Sequence, residues 1–185
     1  MHFRNRPLPR CADRVAYLRA RQRGFTIIEL LITVTIGAIL AAIAVPALRD
    51  TLNTTRQSAA LGLIVNDLNQ ARGEAIKRNA RMLMCARSDT ATNATSCGTN
   101  WTKGWLVCIE AAAPDTCMAA TVLVPNPVLV VRPPLDANLT LTGSGAALRF
   151  NPNSSAVAGT LDLGGNWSGA TSRGVSVAAT GNITK

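Results

Sequence analysis

Residues 25–48 are almost continuously apolar, and the first charge in the stretch, Glu29, sits close to its start. Coiled as a helix at 1.5 Å per residue, the stretch reaches roughly 35 Å, enough to cross a hydrocarbon core of about 30 Å. A carboxylate one turn inside such a helix is costly unless a partner neutralises it, so Glu29 is a functional candidate from the outset. The chain therefore reads as a single membrane-spanning segment followed by a domain that lies outside the bilayer.

The formal charge of +9 and pI near 10.4, taken alone, point to nucleic acid. Its distribution changes that inference. The first 24 residues hold seven arginines against one acid, Asp13, a net of +6, which leaves +3 for everything after Gly24. Positive charge ahead of an apolar helix holds that end in the cytoplasm and sends the rest across the membrane. A secretory signal peptide places its cleavage site after the apolar core, whereas here the basic leader ends before it.

The apolar helix continues past Pro46, a residue that removes one backbone hydrogen bond and tends to kink a helix. Residues 53–84 then read as its amphipathic half, with Leu61, Ile64, Val65, Leu68, Ala71, Ala75, Ile76 and Met82 recurring at threes and fours. Beyond about residue 81 the pattern turns to short apolar runs. Candidate strands are 82–86, 105–109, 122–124, 128–132, 139–141, 147–150, 160–163 and 174–179, separated by Pro-, Gly- and Asn-rich turns. About a hundred residues of short strands packed on a helix make an α+β domain. Residues 89–100 are polar and read as a loop.

Cys85, Cys97, Cys108 and Cys117 fall on the side of the membrane where disulfides persist, while Cys11 precedes the helix. Four cysteines allow three pairings, which sequence leaves open. Short local loops favour Cys85–Cys97 and Cys108–Cys117, each stabilising by roughly 3 kcal/mol in the chain-entropy picture. The spacings contain no C-x2-C pair and the one histidine is His2, which argues against zinc. No nucleophile elbow, P-loop or catalytic base pattern is visible, so no enzyme and no cofactor is expected. Trp101, Trp105 and Trp167 read as packing residues rather than stacking platforms.

Gly24, Phe25, Thr26, Glu29 and Pro46 together resemble the amino terminus of the type IV pilin and pseudopilin superfamily. Ala71-Arg72, Glu74-Ala75-Ile76 and Arg78-Asn79, then Met84-Cys85, Cys97, Trp101, Gly104-Trp105 and Arg149-Phe150-Asn151-Pro152, resemble its GspH/FimT branch. The resemblance implies cleavage by a prepilin peptidase between Gly24 and Phe25 and methylation of the new amino terminus. It implies that Glu29 pairs with a terminal amine during assembly with other pilins. It also implies a long helix carrying a β-rich domain of the type IV pilin kind. The chain then divides into a leader (1–24), a membrane and assembly helix (25–52), the amphipathic half (53–84) and a periplasmic β domain (85–185). The expected location is the inner membrane, with extracellular exposure once assembled. Three roles follow within the family: a minor pilin that primes or caps a type IV pilus, a DNA-binding tip pilin for transformation, or pseudopilin H of type II secretion. The apolar segment looks more like the pilus group. DNA-binding members carry a carboxy-terminal Gly-Arg-x-Arg motif, but here Asn182 and Thr184 follow Gly181 in place of the arginines. Arg72, Arg78, Arg81, Arg173 and Lys185 are the remaining phosphate-contact candidates, against a plainer reading as a solvated face with local ion pairs.

Overall fold

The computed structural model describes residues 24–88 and 96–185, so the leader up to residue 23, with His2 and Cys11, and most of the 89–100 loop lie outside the described residues. The chain divides into two compact units, Met1–Ala42 and Ile43–Lys185. One helix, α1 (Ile27–Arg78), contributes to both and contains Pro46. In the first unit its apolar side chains are exposed all round, including Ile28, Leu31, Ile36 and Leu40. That end is long and apolar enough to cross a membrane.

In the second unit α1 buries one stripe: Ala60, Leu61, Ile64, Leu68, Ala71 and Ala75, joined by two polar residues, Gln57 and Asp67. Ile76, expected in the stripe, is half exposed instead. The helix also stops before residue 84. Asn79 adopts φ 49°, Ala80 N–H donates to the Ala75 carbonyl (3.2 Å) and Asn79 N–H to that of Ile76 (3.3 Å). This is a Schellman cap, and asparagine tolerates its left-handed turn better than most residues. Met82 consequently belongs to the first strand.

The strands are β1 (Met82–Arg87), β2 (Cys97–Gly98), β3 (Trp105–Ile109), β4 (Val128–Val131), β5 (Leu139–Gly143), β6 (Ala147–Phe150), β7 (Gly159–Gly165), β8 (Arg173–Val177) and β9 (Ile183–Thr184), with a 3₁₀ turn at Trp101–Lys103. All pairings are antiparallel. In the first sheet β1 lies between β3 on one side and β6 and β2 on the other, and β4 forms the far edge beyond β3. The second sheet runs β5-β7-β8-β9. The short β2, β9 and the 3₁₀ turn have no periodic signature in the sequence.

Segment 122–124 is not a strand. Thr121 N–H donates to the Val124 carbonyl and Val124 N–H to Thr121 Oγ1, both at 3.0 Å. These bonds close a tight turn with Val122 and Leu123 at its tip, 99% and 93% exposed. The apolar run mimicked a strand, but a threonine that can satisfy the chain locally and Pro125 just beyond it took the backbone out of any ladder.

Alternation decides the core. Met82, Met84 and Ala86 on β1, with Trp105, Val107 and Ile109 on β3, join the helix stripe and the inward residues of the second sheet, among them Leu141, Leu161, Leu163 and Val175, in one cluster. Each large side chain buried there contributes about 1.5–3 kcal/mol. The opposite face of the first sheet holds a second cluster of Leu83, Cys85, Leu106 and Cys108. The central strands are therefore buried on both faces and read as unbroken apolar runs. Two disulfides close over that outer face: Cys85–Cys97 and Cys108–Cys117, each with Cα atoms 5.6 Å apart.

Candidate assembly site

The processing and assembly candidates lie at the start of α1. Among the described residues, none beyond its chain neighbours comes within 4 Å of the position a Cβ on Gly24 would take, and Phe25 is 77% exposed. Thr26 caps the helix: its Oγ1 accepts from Glu29 N–H (3.3 Å) and its carbonyl from Leu30 N–H (3.1 Å). Thr26-x-x-Glu29 is thus the frame of a capping box. It sets Glu29 at the third helical position, where a carboxylate complements the helix's positive end. Glu29 is exposed, one turn from Phe25. The arrangement holds the Glu29 carboxyl group one turn from the point where cleavage after Gly24 would create an amine.

The phosphate-contact candidates have partners within the protein. Arg72 Nε donates to Ser154 Oγ (2.7 Å). Arg78 Nε donates to Glu74 (2.7 Å) and its Nη1 to the Asn126 carbonyl (3.3 Å). Lys77 shares Glu74 at 3.2 Å. The guanidinium of Arg78, and then the Lys77 ammonium, hold the Glu74 carboxyl below its usual range. Arg81 stands 3.4 Å from Glu110, which is buried and also takes Arg149 Nε at 2.7 Å. Arg173 donates to Ser58 Oγ (2.9 Å), and Lys185 is exposed at the chain end. Arg72, Arg78 and Arg81 follow one helix and its cap, whereas Arg173 and Lys185 sit on the second sheet and at its end.

Gly181 has a structural reason of its own. It adopts φ 78°, and a Cβ there would lie 2.0 Å from the Ser154 carbonyl oxygen. Asn182 and Thr184 beside it are exposed. The tryptophans pack: Trp101 and Trp105 are buried, with Trp101 Nε1 donating to the Gly145 carbonyl at 3.1 Å, while Trp167 lies partly buried against the core.

The sequence reading did not single out Asp67 and Arg132. Asp67 is fully buried on α1 and accepts from Trp105 Nε1 (2.8 Å) and from Arg132 through Nε (2.8 Å) and Nη2 (2.7 Å). The fork of two parallel bonds is the strong geometry for this pair, and the carboxylate raises the Arg132 pKa above its ordinary value. Gln57 plays a neutral counterpart, donating from Nε2 to the carbonyls of Leu163 and Thr171 at 2.8 Å each. The available signal was a pattern break: an acid inside the Ile64–Leu68 stripe, and an arginine ending an apolar strand.

An exposed apolar helix end carrying Glu29, followed by a small disulfide-bonded α+β domain, defines a protein of type IV pilin-like architecture. Comparison with protein families agrees. The model described as the type II transport protein GspH matches residues 60–181, and the prokaryotic N-terminal methylation motif matches residues 19–45. The chain belongs to the GspH family of pilins and pseudopilins, which are structural and not enzymatic. The methylation motif implies processing by a prepilin peptidase, and membership implies assembly with other pilins. No curated protein matches the sequence. Two crystal forms of the type IV minor pilin FimU of Pseudomonas aeruginosa are similar in structure. One, in space group P65, is 19% identical, covers 69% of this chain and 90% of FimU, and gives a TM-score of 0.48. The other, in P21, is 22% identical, covers 72% and 90%, and gives 0.49.

Proposed function

We propose that this chain is a minor pilin of a type IV pilus, with a structural role in priming assembly or capping the tip. The observation that carries the reading is the exposed apolar start of α1 with Glu29 one turn from Phe25, within the stretch matched by the methylation motif. In this reading the peptidase cuts after Gly24, and the helix from Phe25 waits in the inner membrane with its β domain in the periplasm. On assembly the helix leaves lipid for a bundle of other pilin helices. There the Glu29 carboxylate neutralises a terminal amine and sets the axial register, because an unpaired charge in that environment is costly. Pro46, near the end of the membrane and assembly half, lets the helix bend.

The family description favours a second reading, pseudopilin H of a type II secretion system. The test is the filament fraction. Surface pili sheared from cells should contain the mature chain beginning at Phe25, and Glu29→Leu should be cleaved normally yet missing from that fraction. A chain absent from pili whose deletion blocks protein secretion would transfer the assignment to the secretion pseudopilus. Normal incorporation of Glu29→Leu would remove the carboxylate from the mechanism.

A further inference from the structure

Beyond Gly24 the chain holds twelve asparagines, and seven of them begin Asn-x-Ser/Thr with a residue other than proline between. That pattern is the acceptor signal for an Asn-linked glycan in an exported protein. The structure separates the seven. Asn93 lies outside the described residues, and Asn53 is wound into α1. Asn100 and Asn153 use the pattern for local turns. Asn100 Oδ1 accepts from Thr102 N–H (3.0 Å) and Oγ1 (2.5 Å), and Asn153 Oδ1 from Ser155 N–H (3.1 Å) and Oγ (2.7 Å). Such turns account for those two positions without any modification. Asn166 leads into Trp167, whose ring lies over Gly165 and whose carbonyl closes a turn on Ala170 N–H at 3.1 Å. Asn138 and Asn182 remain.

Asn138 stands exposed in the turn that enters β5, and among the described residues its side-chain amide makes no hydrogen bond. Asp136 fixes the turn: its carbonyl accepts from Leu139 N–H (2.8 Å) and its Oδ1 from Asn138 N–H (3.1 Å). Leu139 is buried, while Asn138 is exposed and Thr140 half-buried, with its hydroxyl lying across Gly164 of β7. The amide and the hydroxyl that define the signal are therefore both reachable from outside the core. Position along α1 then distinguishes Asn138 from Asn182. Asp136 Oδ2 accepts from Arg56 Nη1 at 2.9 Å, and Arg56 lies eight residues past Leu48, the end of the apolar run. At the helical rise that is about 12 Å. Asn182 follows Gly181, which packs on Ser154, and Ser154 takes Arg72 at 2.7 Å. Arg72 is twenty-four residues past Leu48, about 36 Å along the helix. A donor carried on lipid presents its sugar at the bilayer surface, so Asn138 is the better placed acceptor.

We propose that Asn138 is a glycosylation site, which takes an oligosaccharide from a lipid pyrophosphate donor through a membrane-bound transferase. The proposal rests on the reading that the β domain lies across the membrane from the cytoplasm, on the side where its two disulfides persist. In the transfer, Asn138 Nδ2 forms a bond to C1 of the first sugar. The bond from C1 to the pyrophosphate oxygen breaks, and the lipid pyrophosphate leaves with the electron pair. The amide proton passes to a base on the transferase, and nothing is oxidised or reduced. The attached glycan is bulky and solubilising, and it shields the exposed Pro133-Pro134 connection and the turn beside it.

The test is mass spectrometry of the full chain purified from its own cells. The expected result is a peptide spanning Asn138 that carries a covalent glycan, with the intact mass falling by the same amount in Asn138→Gln. Thr140→Val should cut the modified fraction at least about tenfold, while Thr140→Ser should keep it, because the signal needs the hydroxyl and the strand does not. A bare Asn138 in the wild-type chain overturns the proposal, as does a glycan confined to Asn166, Asn182 or a serine or threonine. Modification that survives Thr140→Val overturns it as well. If a variant fails to form its disulfides, the wild-type peptide decides alone. The state of the cysteines is read from the same spectra. Bonded cysteines with a bare Asn138 sink only this proposal, whereas a chain held reduced in the cytoplasm sinks the reading on which it rests.

Discussion

The Asp67 carboxylate, wholly buried on the helix, is held by the indole of Trp105 and the guanidinium of Arg132 at once. Three elements, α1, β3 and the residue following β4, meet on its two oxygens. Burying a charge is tolerable only when it is paired and hydrogen-bonded, and here it is both.

Removing the arginine leaves that charge in the core with the indole alone. Arg132→Met should destabilise the domain by about 3 kcal/mol, at the low end for a buried pair because the guanidinium itself is partly exposed. Arg56→Met, which breaks the exposed pair with Asp136, should cost no more than about 1 kcal/mol. Urea unfolding of the two variants side by side checks the contrast. Equal costs would mean that the Asp67 charge is relieved by some other route.

The disulfides cover the outer face of the first sheet. Leu83 and Leu106 are fully buried in the same cluster as Cys85 and Cys108. Replacing either cystine by two serines should cost about 3 kcal/mol and expose this cluster to a hydrophobic dye. The double replacement should leave little folded domain at 37 °C, since small domains lack the reserve to lose both. A reduced protein that melts within a degree or two of the oxidised one would refute the covering role.

Much of this architecture was legible in the residues. The apolar run with Glu29 near its start, the stripe from Leu61 to Ala75, and the alternation of most strands each follow from one period, and a period survives without tertiary information. The local loops also favoured the two cystines that form. What failed is equally physical. The 122–124 run has strand composition, but Thr121 closes it into a turn. Ile76 fits the stripe by spacing, yet the helix ends two residues later and its side chain stays half exposed. Asp67 and Arg132 are 65 residues apart, and only the fold brings a pattern break on a helix to the end of a strand. The string Gly24, Phe25, Thr26 and Glu29 was readable as a motif because it is contiguous in sequence, within the stretch that the N-terminal methylation motif matches; the roles of these residues in cleavage and assembly belong to the proposal.

Gly181 meets a backbone requirement of its own turn. Its positive φ and its contact with the Ser154 carbonyl make Gly181→Ala strained on two counts, and the change should cost about 2 kcal/mol or more. Asn182→Ala beside it, on an exposed side chain, should fall within about 0.5 kcal/mol of wild type. Thermal unfolding distinguishes the two. A silent Gly181→Ala would mean that the carboxy-terminal turn gives way easily.

Duplex DNA is the partner the overall charge invites and the local geometry disfavours. Of the five candidate cations, Arg72 is turned to Ser154, Arg78 to Glu74 and Asn126, Arg81 to Glu110, and Arg173 to Ser58. Glu74 and Glu110 supply negative charge within the same patch, so a phosphate approaching it meets ion pairs that must first be broken. Lys185 is exposed beyond β9. If all five contacted phosphates, the logarithm of the binding constant would fall with the logarithm of salt at a slope of roughly −4.5. If only the outlying Arg173 and Lys185 engage, the slope should be roughly −2 or shallower, and affinity at physiological salt no tighter than the weak non-specific range of about 10⁻⁴ M. Titrating a labelled duplex with residues 53–185 across a salt series, with Glu74→Gln in parallel, separates these cases. A steep slope in wild type would overturn the ion-pair account. A slope that steepens only in Glu74→Gln would show Glu74 as the group that keeps Lys77 and Arg78 from phosphate.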